Sequence, residues 1–257
     1  MMWERARAVA GRMTEVAQTG STNADLAAAI ARGEEWPHLG ALLTHDQRAG
    51  RGRLDRRWVA PAGAALALSV VVRVPRLPLA ARGWIPLVAG VAMRDAVAAQ
   101  IPAERVGLKW PNDVLVGPDL RKICGVLAEG TAAPDAVIVG TGVNTRLDPA
   151  DLPVETATSF PALGLACDED ALVADYLTGL DALLDGLARA GGDAAASGAH
   201  AAVTAACLTL DRDVSVALPD GSTLRGRAAA IAPDGRLVVE SGGARVAVSA
   251  GDVVHVR

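Results

Sequence analysis

Hydrophobic spacing along this chain changes character near residue 207. Before it, strand-like runs alternate with helix-like periodicity. After it, only short strand-like runs remain, separated by glycine turns. Residues 14–19 are predicted as a short strand, and Gly20-Ser21-Thr22-Asn23 as the turn that opens a helix. Thr22 and Asp25 have capping-box spacing, residues 24–31 are strong helix formers, and Gly33 is the stop. A strand is expected at 39–44. Residues 64–74 form a nearly continuous apolar run, as in a strand covered on both faces. Residues 82–100 predict a mostly buried helix with Pro86 in its first turns.

Strands follow at 106–110 and 113–116, then a turn at Gly117-Pro118-Asp119, a returning strand at 121–129 and another at 136–144. Leu172, Tyr176, Leu180, Leu183, Leu184 and Leu187 give residues 171–190 helical periodicity. The Gly/Ala-rich stretch 191–206 fits either helix or loop. Five short strands then follow, at 214–218, 223–231, 237–239, 246–248 and 253–256. Their turns are Pro219-Asp220-Gly221, Pro233-Asp234-Gly235 and Ser241-Gly242-Gly243. The expected architecture is a mixed α/β (α+β) domain over 1–206 followed by a small SH3-like β-barrel over 207–257.

Composition narrows the class. The chain has 257 residues, 51% hydrophobic and 3% aromatic, with a net charge of −4. Small aliphatic residues must therefore fill the core. The acidic balance argues against a general nucleic-acid binder, and residues 208–257 carry as many acidic residues as arginines. Cys124, Cys167 and Cys207 are odd in number and far apart, which suits reduced thiols in a cytoplasmic protein better than a disulfide framework or a zinc site. Arg5, Arg7 and Arg12 interrupt any signal-peptide core, and the longest apolar run, 59–72, is too short to cross a bilayer, so no membrane role is expected.

One segment runs against the acidic background. Between His45 and Trp58, five arginines (48, 51, 53, 56 and 57) face Asp46 and Asp55, for a local net charge of +3. The glycines of Gly50-Arg51-Gly52-Arg53 let backbone N–H groups approach an anion, and guanidinium forks suit phosphate or carboxylate oxygens. Further polar clusters lie at strand ends or in loops: Ser21-Thr22-Asn23, Lys109-Trp110-Pro111-Asn112-Asp113, Arg121-Lys122-Ile123-Cys124-Gly125 and Gly140-Thr141-Gly142-Val143-Asn144.

In this order, these motifs resemble the catalytic domain of biotin protein ligases, also called biotin–[acetyl-CoA-carboxylase] ligases. The resemblance covers residues 14–145 by motif and extends weakly to the C-terminal barrel. It implies ATP- and Mg²⁺-dependent conversion of biotin to biotinyl-5′-adenylate, then transfer to one lysine of a biotin carboxyl carrier protein. It implies Lys122, Arg53 and Asp113 as catalytic residues. Ser21, Thr22, Asn23, Gln47, Gly50, Arg51, Lys122 and Gly125 would bind biotin. Arg51, Arg53, Trp58, Lys109, Asn112 and Asn144 would bind ATP or the adenylate, with Trp58 packing on adenine. Asp113 either holds Mg²⁺ or receives a proton.

The residues suit that chemistry. Joining a carboxylate to AMP brings two anions together, and permanent cations offset their repulsion. Ser21 and Thr22 also suit a helix cap, and Asn144 a turn at a strand end. The family loop often continues with a further glycine, where this chain has Asp55. About a dozen residues precede the first predicted strand, so no N-terminal DNA-binding helix-turn-helix is expected. The expected state is a monomer or weak homodimer. The competing readings are a lipoate–protein ligase, of similar fold and chemistry, and a non-catalytic biotin or nucleotide binder.

Overall fold

The computed structural model describes residues 3–53, 56–101, 105–218, 221–249 and 252–256. The chain opens with helix α1 (Glu4–Val9), strand β1 (Arg12–Glu15), helix α2 (Thr22–Ala31) and strand β2 (Gly40–Thr44). A two-residue ribbon follows, β3 (Gly50–Arg51) against β4 (Arg57–Trp58), and then β5 (Leu66–Arg73). After helix α3 (Ile85–Gln100) come β6 (Val106–Lys109), β7 (Asp113–Val116), β8 (Arg121–Gly130) and β9 (Ala136–Val143). Helices α4 (Glu169–Arg189) and α5 (Ala199–Ala206) lead to β10 (Asp213–Ala217), β11 (Thr223–Ile231), β12 (Leu237–Ser241), β13 (Ala244–Val248) and β14 (Asp252–His255).

The first seven-stranded sheet has the order β1-β2-β5-β9-β8-β7-β6. Its β1–β2 pair is parallel and the remaining pairs are antiparallel. β5 is central, and its side chains alternate between two apolar layers. Leu66, Leu68, Val70 and Val72 join the large core with α3 and α4, while Val71 joins Leu26 and Ile30 of α2. The apolar run therefore marks a strand covered on both faces, as expected. The second sheet is antiparallel, in the order β13-β12-β11-β10-β14. It is tied to the first through Trp84 Nε1, which donates to Pro233 O at 3.1 Å, and Trp110 Nε1, which donates to Gly235 O at 3.0 Å.

Several local expectations are corrected. The first strand lies earlier, at Arg12–Glu15, because its partner is β2 in parallel register from Arg12↔Gly40 to Glu15↔Leu43. Residue 19 keeps only a single bridge, to Gln47. The cap of α2 is Ser21, not Thr22. Ser21 is extended at φ −157° and its hydroxyl accepts from Ala24 N. Helix α1 was not expected from the sequence. The stretch 191–206 is resolved as turns through left-handed Gly191, Gly192 and Gly198, followed by α5. α3 starts at Ile85, after a 3₁₀ turn over Leu79–Trp84. Asp55, Pro219 and Asp220 lie outside the described residues.

Candidate active site

The register of the sheet builds a floor. Ala67, Gly142, Gly125, Asp113 and Lys109 form one row across β5, β9, β8, β7 and β6. Ser69, Gly140 and Leu127 form the next row. The glycines leave this face unroofed by Cβ atoms, and other side chains fill the space. A Cβ on Gly142 would stand 2.6 Å from the Trp58 indole, and one on Gly140 would collide with the Asn23 amide. The resulting cavity holds about 950 Å³, including the solvent at its mouth. The N-terminus of α2 stands at one end, the β3–β4 ribbon covers it, and Val253 of β14 contributes to the wall.

At the α2 end, Gln47 Oε1 accepts from Thr22 N at 2.9 Å and from Thr22 Oγ1 at 3.1 Å. Ser69 Oγ lies 2.7 Å from Thr22 Oγ1 and donates to Asn23 Oδ1 at 2.5 Å. Asn23 Nδ2 donates to Glu129 Oε2 at 2.6 Å, and Glu129 Oε1 pairs with Arg51 at 3.2 Å. One connected set of hydrogen bonds thus fixes a helix terminus, a strand serine and the arginine loop. Such networks hold side chains in a single geometry when every member is satisfied.

The other end is cationic. Lys122 Nζ lies 2.7 Å from Asp113 Oδ1. A β-bulge makes this possible. Cys124 pairs with Val114 and Lys122 with Leu115, so Ile123 is the extra residue. Ile123 and Cys124 both enter the core, and Lys122 turns to the glycine face beside Gly125. In a regular strand Lys122 would share the buried face of Cys124. Burial pushes the Cys124 thiol up to about 12, so it is no nucleophile. Arg53 Nη1 donates to Asn112 Oδ1 at 3.3 Å, and Asn112 Nδ2 donates to Val126 O at 2.8 Å. Trp58 and Lys109 also line the cavity.

The structure brings together Ser21, Thr22, Asn23, Gln47, Arg51, Arg53, Trp58, Lys109, Asn112, Asp113, Lys122 and Gly125 around this one cavity. Two expected residues do not line it. Gly50 is buried behind the wall, where a Cβ would meet Gln47 Nε2 at 2.5 Å. Asn144 turns its amide away to Thr158 O at 2.8 Å. Asn23 lines the cavity, but its amide is committed to Ser69 and Glu129. Sequence reasoning missed Ser69 and Glu129, and named Gly140 only within a cluster, with no role of its own. A lone serine in the otherwise apolar 66–72 run was the available signal for Ser69.

Among the described residues, no group of three or more His, Cys, Asp or Glu side chains could cage a metal ion. The cavity does offer one carboxylate, Asp113, at its cationic end. That fits Mg²⁺, which keeps most of its waters and is usually held by one or two carboxylates plus substrate phosphates.

Residues 16–144 match the model of the Biotin/lipoate A/B protein ligase family, and residues 209–256 match that of the Biotin protein ligase C terminal domain. The chain is 42% identical to the biotin--[acetyl-CoA-carboxylase] ligase of Mycobacterium tuberculosis, over 94% of this chain and 88% of that protein. It is 34% identical to the bifunctional ligase/repressor BirA of Escherichia coli, over 56% of this chain but only 46% of that protein. The fold is similar to that of the biotin protein ligase from Aquifex aeolicus solved with biotin and ATP. That likeness has a TM-score of 0.77 at 22% identity and covers 96% of this chain and 99% of the other.

Proposed function

The chain belongs to the Biotin/lipoate A/B protein ligase family, and from that premise we propose how its cavity activates biotin with ATP and passes it to a carrier lysine. The carboxylate oxygen of biotin attacks the α-phosphorus of ATP. The bond to pyrophosphate breaks, and biotinyl-5′-adenylate remains. The ε-amine of the carrier lysine then attacks the acyl carbon, loses a proton, and releases AMP. The biotin ligases of this family act on the biotin carboxyl carrier proteins of carboxylases.

The observation that carries this reading is the pairing of two unlike ends in one cavity. At one end, Thr22 and Gln47 offer neutral, directional hydrogen-bonding groups close to Ser21 and Arg51. They suit the ureido ring of biotin, with its two N–H donors and one carbonyl. The glycine-lined floor beside Gly125 and Leu127 suits the valeryl chain. At the other end, Lys122 stands over Asp113, with Arg53 close by. There Lys122 holds the reacting carboxylate and phosphate together, and Arg53 grips the phosphate of the intermediate. Trp58 presents its indole to adenine, and Lys109 and Asn112 complete the phosphate end. Asp113 is the residue that would hold Mg²⁺, which when bound would neutralise phosphate charge.

Lipoate is the poorer fit because its dithiolane ring has neither the N–H donors nor the carbonyl that the neutral polar groups of this end suit. A pyrophosphate-release assay with biotin or lipoate as the sole acid separates the two. Release with lipoate alone would overturn the assignment. The same proposal places a catalytic unit in residues 1–206 and a C-terminal unit in 207–257, supported by the change of pattern at Cys207. It holds the protein to be a cytoplasmic monomer or weak homodimer without nucleic-acid or membrane partners. Among the described residues no helix is long and apolar enough to cross a membrane.

A further inference from the structure

Two of the cavity's cations rest on carboxylates of the sheet. Lys122 rests on Asp113, a residue the sequence motifs singled out. Arg51 rests on Glu129, which no motif singled out. We propose that Glu129 is the resting counter-ion of Arg51, and that a phosphate-bearing ligand draws Arg51 off this carboxylate. The inference rests on the adenylate-forming reading of the cavity and adds a positioning residue to it.

The geometry assigns which partner moves. Glu129 is held in place by its second oxygen, which accepts from Asn23 Nδ2 at 2.6 Å. Asn23 is fixed in turn by Ser69 and by its seat on Gly140. The Glu129 side chain is 31% exposed, against 53% for Arg51. Arg51 belongs to a two-residue strand and is followed by Gly52, whose backbone carries no side chain to hold it. When the pair separates, Glu129 stays and Arg51 swings. Glu129 therefore competes with the ligand for one guanidinium. A single carboxylate reaching Lys122 leaves the pair intact, whereas a polyphosphate offers Arg51 more negative charge than Glu129 does. The position of the loop is thereby coupled to arrival of the nucleotide.

The test is a double-mutant cycle read as equilibrium dissociation constants for Mg-ATP and for biotin. Glu129→Gln keeps an acceptor oxygen for Asn23 and removes the charge facing Arg51. The exposed pair limits the effect, so Glu129→Gln should tighten Mg-ATP binding about 1.5- to fivefold. In the Arg51→Ala background the same change should have almost no effect, and Glu129→Gln alone should leave biotin affinity within twofold. Glu129→Asp keeps the charge but shortens its reach to Arg51, and should tighten Mg-ATP binding in the same direction. Unchanged or weaker ATP binding in both Glu129 variants overturns the proposal. Equal tightening with and without Arg51 also overturns it, because Glu129 would then act as a general field. A wild type that binds ATP but releases no pyrophosphate with biotin defeats the enzymatic reading and leaves the cycle interpretable. A wild type that binds no ATP defeats both.

Discussion

Replacing Lys122 with alanine should separate catalysis from stability. The Lys122 side chain is 42% exposed and that of Asp113 19%, with 2.7 Å between them. With its lysine half-exposed, the pair contributes about 0.2–1 kcal/mol to folding. In a protein of this size, 1 kcal/mol moves Tm by roughly 2–4 °C. The catalytic loss is on another scale. Removing one preorganised donor from a site of developing charge costs roughly 10²–10³ in rate, about 2.7–4 kcal/mol. Lys122→Ala should therefore release pyrophosphate about 100- to 1,000-fold more slowly at saturating biotin and Mg-ATP, while its Tm falls by no more than about 4 °C. Continuous pyrophosphate detection and a thermal melt on the same preparation check both halves. A folded variant within tenfold of the wild-type rate would refute the placement of Lys122 at the reacting centre.

Trp58→Ala should weaken ATP binding by about 1–3 kcal/mol, by analogy with base stacking, and leave biotin affinity nearly unchanged; equal losses in titration calorimetry would make the indole a cover for Gly142 alone. Arg53→Gly should still form adenylate but release it about 10- to 100-fold faster, the loss of a charged hydrogen bond, and so biotinylate lysines of an unrelated bystander protein; no excess labelling over wild type would exclude Arg53 as the clamp. Burial, with Lys109 and Arg212 nearby, pushes the His255 pKa down to about 4. The unfolded chain binds that proton near pH 6.5, so folding stability should fall as pH drops from about 6.5 to about 4. Urea midpoints of His255→Gln should show a flatter fall across that window, and a curve parallel to wild type would contradict the half-buried, neutral histidine.

Much of the fold could be read from one sequence because its core strands are simple. The 64–74 run could hardly be anything but a strand covered on both faces, and β5 has that role. The site clusters could be read because their glycines and charged residues interrupt apolar stretches, where strand patterning cannot explain them. What escaped depends on tertiary partners. Ser21 rather than Thr22 caps α2 because the Thr22 hydroxyl is engaged by Gln47 and Ser69, which lie 25 and 47 residues away. Glu129 looked like the polar end of a strand until the fold set it between Asn23 and Arg51. The direction of Lys122 depends on the bulge at Ile123, and strand alternation alone would point it into the core. Asn144 matched its motif, yet local packing directs its amide to Thr158.

The central claim is the transfer of biotin to a carrier lysine, and intact-mass measurement of the carrier tests it most directly. A biotin carboxyl carrier domain incubated with the protein, biotin and Mg-ATP should gain the mass of one biotinyl group on a single lysine. The gain should vanish without ATP and with Lys122→Ala. An unmodified carrier in the presence of folded wild-type protein, or a carrier modified by lipoate and not by biotin, would contradict the account.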